Sequence, residues 1–331
     1  MQKDLIYLFT HSLGGKVQVF KEIGLTVPPI EDEFFTDTAN AISTMIKEAF
    51  PDAEIIEFSL ESLMTCVEQE IEKMRKTLGD NCMVITPCTE LTGNKTQIIE
   101  TNRIADFRGD NVGTGPRAGH DSIDNQIQKI VLNVRGHKTL FADDGSFSGD
   151  TTVNQILDFR KYNHEFDAIV LGVATDKAIE EIKKVFSGPI LICQKIEGEL
   201  FEWIVEHDYW PWIPGSGRPI GNLNELTNLA SVTELDGMTF TIPYGLHKES
   251  LSKFASIEHE MIAERIIGFC FEKSIELFEK IEKLNNDIIT FDKLNNKKCA
   301  ISVPVIIGQE PKPIDPNTRI IDHIKEMSKI I

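Results

Sequence analysis

A chain of 331 residues carries a formal net charge of −18, with 41% apolar and 26% charged side chains. That length holds one large or two ordinary domains with a sizeable core. The acidic balance argues against nucleic acid or an anionic membrane as the main partner, so an anionic ligand needs a local basic patch. No apolar run approaches membrane-spanning length, and the first residues lack a secretory pattern, so a cytoplasmic protein is expected. The cysteines (Cys66, Cys82, Cys88, Cys193, Cys270, Cys299) contain no Cys-x-x-Cys pair and are expected as reduced thiols.

Leu5-Ile6-Tyr7-Leu8-Phe9 predicts a strand, followed by Thr10-His11-Ser12-Leu13-Gly14-Gly15. The second string is similar to the His-Ser-Leu-Gly-Gly nucleophile elbow of lipase-type hydrolases, which implies Ser12 as a nucleophile. The elbow usually has glycine where Thr10 stands, and it follows earlier strands and an upstream oxyanion loop. The competing expectation is a plain glycine turn. After a loop with Pro28-Pro29, a helix from Thr36-Asp37 carries Ala41, Ile42, Met45, Ile46 and Phe50, and 53–58 reads as a strand. Ser59 is placed to cap a long helix. Its residues Leu60, Leu63, Met64, Val67, Ile71, Met74 and Leu78 keep helical spacing, and Gly79 stops it. That stripe is expected to be core.

A βα series follows. Residues 82–86 predict a short buried strand, 87–96 a loop rich in hydroxyl and amide groups, and 97–107 a helix. Residues 108–124 hold four glycines and a proline without apolar periodicity, which predicts a long loop. Such loops act as lids or binding loops. Arg108, Arg117 and His120 give this one basic character.

Residues 137–152 read His-Lys-Thr-Leu-Phe-Ala-Asp-Asp-Gly-Ser-Phe-Ser-Gly-Asp-Thr-Thr. The run 139–142 predicts a buried strand closed by Asp143 and Asp144. A loop of small residues leads into a helix marked by Val153, Ile156, Leu157 and Phe159. Strand, loop and helix in this order place backbone N–H groups and a helix N-terminus around a phosphate. Paired carboxylates at the strand end suit sugar hydroxyls or a hard cation such as Mg²⁺.

The string Asp143-Asp144, four residues, Gly149, one residue, Thr151 resembles the ribose-phosphate signature of the type I phosphoribosyltransferases. The resemblance implies that Asp143 and Asp144 sit by the ribose hydroxyls and serve Mg²⁺, directly or through water. It implies that Gly145, Ser146, Phe147, Ser148, Gly149, Asp150 and Thr151 hold the 5′-phosphate. By element order it implies a diphosphate loop at Gly93, Asn94 and Lys95, and a closing loop whose Arg117 and His120 touch the diphosphate. Phe147 stands where purine-salvage members often carry an acid, which argues against that subgroup. Asp150 puts a negative charge beside the phosphate, so its side chain is expected to point away.

Residues 166–174 predict a buried strand, Thr175-Asp176 cap a helix carrying Ala178, Ile179, Ile182 and Val185, and 189–193 is a further strand. Alternating strands and helices predict a mainly parallel sheet. Trp203, Tyr209, Trp210 and Trp212 cluster ahead of a glycine-rich turn, as a stacking pocket or a hydrophobic anchor. A long helix is expected over 256–285, a Pro304-broken edge strand over 302–307, and a last helix from Asn317.

The expected fold is α/β: a mainly parallel sheet flanked by helices, phosphoribosyltransferase-like, with a mixed α+β C-terminal extension. The expected division is an N-terminal α/β extension at 1–80, the core at 81–195, and a cap or partner-binding region at 196–331. The expected function is binding of 5-phosphoribosyl 1-diphosphate with Mg²⁺ and transfer of ribose 5-phosphate to or from a nitrogen nucleophile. An inactive nucleotide or phosphoribosyl diphosphate sensor is the alternative, with a Ser12 hydrolase third. Expected partners are the small phosphoribosyl substrate, a second copy of the chain as a homodimer, and a protein on the C-terminal region.

Overall fold

The computed structural model describes residues 5–224, 229–235, 238–294 and 302–330, so Cys299 and the first four residues lie outside the described residues. In chain order the elements are β1 (Leu5–His11), α1 (Leu13–Gln18), α2 (Glu33–Ala49), β2 (Ala53–Ser59), α3 (Leu60–Leu78), β3 (Met83–Thr86), β4 (Thr96–Ile98), β5 (Thr101–Ala105) and β6 (Asn111–Pro116). Then come α4 (Ile123–Asn133), β7 (Thr139–Ser146), α5 (Asp150–Lys161), β8 (Ala168–Thr175), α6 (Asp176–Val185), β9 (Ile190–Ile196) and β10 (Glu199–Val205). Short strands β11 (Arg218–Pro219), β12 (Gly221–Asn224), β13 (Leu229–Val232), β14 (Glu234–Leu235) and β15 (Met238–Ile242) follow. The chain ends with α7 (Lys248–Ala255), α8 (Glu260–Asn285), α9 (Phe291–Leu294), β16 (Ser302–Pro304) and α10 (Ile320–Met327). The chain is thus mixed α/β. Among the described residues no helix is long and apolar enough to cross a membrane.

The chain forms two compact units, each drawn from separated segments. Unit 1 takes residues 1–7, 58–101 and 120–201. Its centre is a parallel sheet ordered β4-β3-β7-β8-β9. β8 is buried at all eight positions, which requires cover on both faces. α3 packs on β7, β8 and β9 and supplies one face through Leu63, Met64, Val67, Ile71 and Met74, the expected apolar stripe. The crossover helices α5 and α6 pack on each other, and α6 packs on β8. Caps fall where local chemistry puts them: the Ser59 hydroxyl accepts the Ser62 N–H, and the Thr175 hydroxyl accepts the Ala178 N–H.

Three sequence expectations change. Residues 97–107 are not helical. β4 and β5 occupy them, because the β-branched run Thr96, Ile98, Ile99, Thr101 and Ile104 suits a pleated surface, and the Ile99 N–H bonds the Thr86 carbonyl. The loop at 108–124 is in part a hairpin. The Asp106 carboxylate accepts the N–H groups of Arg108 and Asp110, and Gly109 takes φ +78°, which turns β5 into β6. α4 then starts at Ile123 on the Ser122 hydroxyl. Third, Ser256 adopts a left-handed conformation that ends α7, so the helix expected over 256–285 begins at Glu260, and the last helix starts at Ile320 rather than Asn317.

Unit 2 takes residues 8–57, 102–119 and 202–331. It carries most of the sheet β10-β1-β2, the hairpin β5–β6, the hairpin β12–β13, and a sheet in which β16, among the described residues, pairs with β15 alone, as an edge strand containing Pro304 should. The aromatic cluster is an anchor. Trp210 and Trp212 are buried against Phe269 and Phe271 of α8, and the Trp212 Nε1–H donates to His323 of α10.

One glycine sets the tightest contact of unit 1. A Cβ on Gly172 of β8 would lie 2.3 Å from the Asp144 carbonyl oxygen and 2.9 Å from Leu63 of α3. Gly172→Val is expected to cost about 2–3 kcal/mol of stability, the size of overpacking in a close-packed core. Urea unfolding checks it; an unchanged midpoint rejects the contact.

Candidate functional site

In a parallel sheet the carboxyl ends of the strands present loops on one edge, and side chains there are free of ladder geometry. Toward this edge β7 carries Asp143, buried and paired with Leu171 of β8, and the half-buried Asp144; the strand runs on to Ser146, past the 139–142 expected of it, because Gly145 and Ser146 still pair with β8. The Asp143 carboxylate accepts the Asp144 N–H at 2.9 Å, which orients it along the strand end. Gly145 still pairs with Val173, and the buried Ser146 hydroxyl shares a hydrogen bond with Thr152 of α5 at 3.0 Å. The Phe147 ring is exposed, while its carbonyl accepts the Thr175 hydroxyl at 2.6 Å. That bond ties the turn to the end of β8.

Gly149 is the N-cap of α5 at φ +88°. A Cβ there would fall 2.9 Å from Glu181 Cβ and 3.1 Å from the Ala178 carbonyl, so the glycine serves the approach of α6 as well as the turn. The first α5 ladder bond runs from the Val153 N–H to the Gly149 carbonyl. The N–H groups of Thr151 and Thr152 therefore stand outside the helix's own ladder, at its positive end. Asp150 bonds within its own turn. Its carboxylate accepts the Ser148 hydroxyl at 2.7 Å, and its N–H reaches the same hydroxyl at 3.3 Å.

The loop after β3 supplies the rest of this edge. The Cys88 N–H donates to the Thr86 hydroxyl, and the Cys88 thiol and Thr89 hydroxyl both donate to Glu90 at 3.2 Å. Burial, then the charges of Asp144, Glu90 and Asp143, push the Cys88 thiol far above its ordinary value. Three carboxylates thus share one field. Residues 88–90 were expected only as part of the loop 87–96 and not as site residues. Their signal was positional: they follow the strand next to β7.

The other assigned residues are not gathered here. Gly93, Asn94 and Lys95 precede β4, which runs parallel to β3, so they lie at the opposite edge of the sheet. There they line a cavity of about 670 Å³ with Glu68, Glu72 and Arg75 of α3. His120 belongs to unit 1, exposed and ahead of α4, while Arg117 belongs to unit 2 and follows β6. Among the described residues no group of three or more His, Cys, Asp or Glu side chains is arranged to hold a metal ion.

Ser12 lies in unit 2. Its hydroxyl is 2.9 Å from His207 Nδ1 and accepts the His207 backbone N–H at 3.0 Å. The His207 Nε2 is 3.9 Å from Asp208. In a nucleophile elbow the N–H after the serine helps form the oxyanion hole. Here the N–H groups of Ser12 and Leu13 both donate to the buried Glu206 carboxylate, at 2.9 and 3.1 Å. The chain's own carboxylate fills the place an oxyanion would take.

Comparison with known proteins returns no matching family model, no matching curated protein and no matching solved structure.

Glu206 generates a pH prediction. Its second carboxylate oxygen has no partner among the described residues, and burial pushes the group up to about 7 against the pull of the Leu13 and Ser12 N–H groups. The folded value exceeds the ordinary 4.5, so the folded chain keeps a proton that the unfolded chain releases. This contribution is fully present below about 4.5 and is lost as pH rises through about 7. Glu206→Gln is expected to flatten the fall of Tm across that window. Calorimetry of both proteins at several pH values checks it; parallel Tm curves reject it.

Proposed function

We propose that this chain is a phosphoribosyltransferase-like protein. It binds 5-phosphoribosyl 1-diphosphate with Mg²⁺ and transfers ribose 5-phosphate to or from a nitrogen nucleophile. The observation that carries this is the constellation at the end of β7: paired carboxylates, then a hydroxyl-rich turn, then the start of α5, all on the carboxyl edge of a parallel sheet.

Each part has a task in that chemistry. Asp143 and Asp144 are acceptors for the ribose hydroxyls, and gripping the sugar keeps an oxocarbenium-like ring in line with its nucleophile. The N–H groups opening α5 and the Thr151 hydroxyl are donors for the 5′-phosphate, and Ser148 joins them by turning its hydroxyl from Asp150 to the ligand. Mg²⁺ held by Asp143 and Asp144 would neutralise charge on the departing diphosphate. The local field supports a metal-borne substrate, since Asp143, Asp144 and Glu90 repel a bare diphosphate.

A specific observation favours the second reading, a catalytically inactive binder. Lys95, the cation assigned to the diphosphate loop, is at the other edge of the sheet with its ammonium on the Asp80 carbonyl. The hydrolase reading loses support because Glu206 occupies the elbow's N–H groups.

Titration calorimetry with phosphoribosyl diphosphate and Mg²⁺, followed by an assay of diphosphate release, separates these readings. Binding with turnover is expected of the transferase and binding alone of the sensor. No binding, together with ester hydrolysis, returns the function to Ser12. Asp143→Asn and Asp144→Asn are each expected to weaken binding by about 10-fold or more with unchanged melts, as for hydrogen bonds to a charged group. Ser148→Ala is expected to cost about 1–2 kcal/mol of binding. Gly149→Val is a poor probe, because the contact with α6 makes it unstable with or without ligand. Wild-type affinity in both aspartate variants overturns the proposal.

A further inference from the structure

We propose that unit 2 holds a separate small-molecule site, centred on Arg218, that takes an aromatic carboxylate. The site draws nothing from the ribose-phosphate reading, because its groups all belong to unit 2 and those of the other site to unit 1.

Arg218 is held from behind. Gly217 adopts φ +70°, donates its N–H to Asp208 at 2.9 Å, and packs so closely that a Cβ would lie 2.4 Å from the Ile242 carbonyl. Arg218 then enters β11 opposite Ile242. The backbone under its side chain is therefore fixed.

The guanidinium lies over two rings, 5.5 Å from the centre of Tyr244 and 5.9 Å from that of Phe254. The rings stack on each other at 5.2 Å and 25°. A cation–π contact of this kind spends no N–H donor of the guanidinium. Among the described residues nothing accepts a hydrogen bond from its N–H fork, and no carboxylate forms an ion pair with it. A half-buried cation whose donors are unspent is only partly compensated for lost water.

The obvious internal partner is committed elsewhere. Glu202 accepts the Ser256 hydroxyl at 2.9 Å and the Trp203 N–H at 3.1 Å. Burial raises its pKa although Arg218 and Arg103 both pull it down. Glu202 thus spends its oxygens on a hydroxyl and an amide and makes no hydrogen bond to the fork.

The shape selects the ligand. A planar fork matches a planar carboxylate through two parallel hydrogen bonds. Phe254 is only half-buried, so its ring can carry a flat ligand body beside the fork. The exposed Arg103 adds positive charge nearby.

The test titrates the full chain with benzoate, benzamide, cyclohexanecarboxylate and inorganic phosphate, read by ligand-observed NMR. Benzoate is expected to bind saturably. Benzamide, which lacks the charge, and cyclohexanecarboxylate, which lacks the flat ring, are expected to bind at least about 10-fold more weakly. Arg218→Met keeps the stem and removes the fork, and should abolish benzoate binding with an unchanged melt. Should that variant fold poorly, Arg218→Lys keeps stem and charge and should still lose about 10-fold, because an ammonium cannot bind in two parallel bonds. No saturable benzoate signal, equal binding of benzamide, equal competition by phosphate, or wild-type affinity in the folded Arg218 variant each overturns the proposal.

Discussion

The Asp144 carbonyl lies against Gly172 so closely that no side chain fits between them, and the candidate site depends on that contact. It lets Leu63 of α3 settle over β8 directly behind the acids. One residue on, Met64 meets the Cys88 thiol at 3.5 Å and fixes the loop after β3 to the same helix. Thr175 closes the frame by holding the Phe147 carbonyl. Paired acids would otherwise repel each other into solvent. Here Asp143 is spent partly on the Asp144 N–H, and strand, helix and turn hold both in place.

What could be read from sequence was what local chemistry decides. β8, α3 and α6 follow from an apolar run, an apolar stripe and two hydroxyl caps, all within a few residues of each element. The turn into α5 was legible for the same reason, since Gly149 demands a tight loop, but the strand before it runs on to Ser146 because its pairing with β8 is not visible in the residues themselves. Residues 97–107 defeated the reading because a short mixed run does not reveal its period. The Asp106 turn that makes the hairpin was visible only as glycine and acid. The tie between Ser12 and Glu206 joins residues 194 apart, and no spacing rule reaches that far. Gly93, Asn94 and Lys95 were assigned by order along the chain, whereas the direction of β4 decides which edge a loop occupies.

Charge narrows the chemistry further. With a net charge of −18, the protein does not gather anions by its overall field. At the carboxyl edge of unit 1 three acids act on Cys88, and Lys195, on the strand beyond β8, is paired with Asp176. An approaching polyphosphate meets net negative charge unless a cation comes with it.

The two strand-to-helix turns make this argument from opposite sides. After β1, the N–H groups of Ser12 and Leu13 are filled by Glu206, a carboxylate kept from water that takes up a proton near neutral pH. That turn is satisfied from within, and an external anion has nothing to gain there. After β7, Asp150 spends its carboxylate on Ser148 and its N–H on the same hydroxyl, while the N–H groups of Thr151 and Thr152 stay outside the α5 ladder. The field of the helix start is left to act on whatever sits beyond the turn. Of two turns that look alike in sequence, only the second retains the donors to receive a phosphate, and it is the one that paired carboxylates introduce.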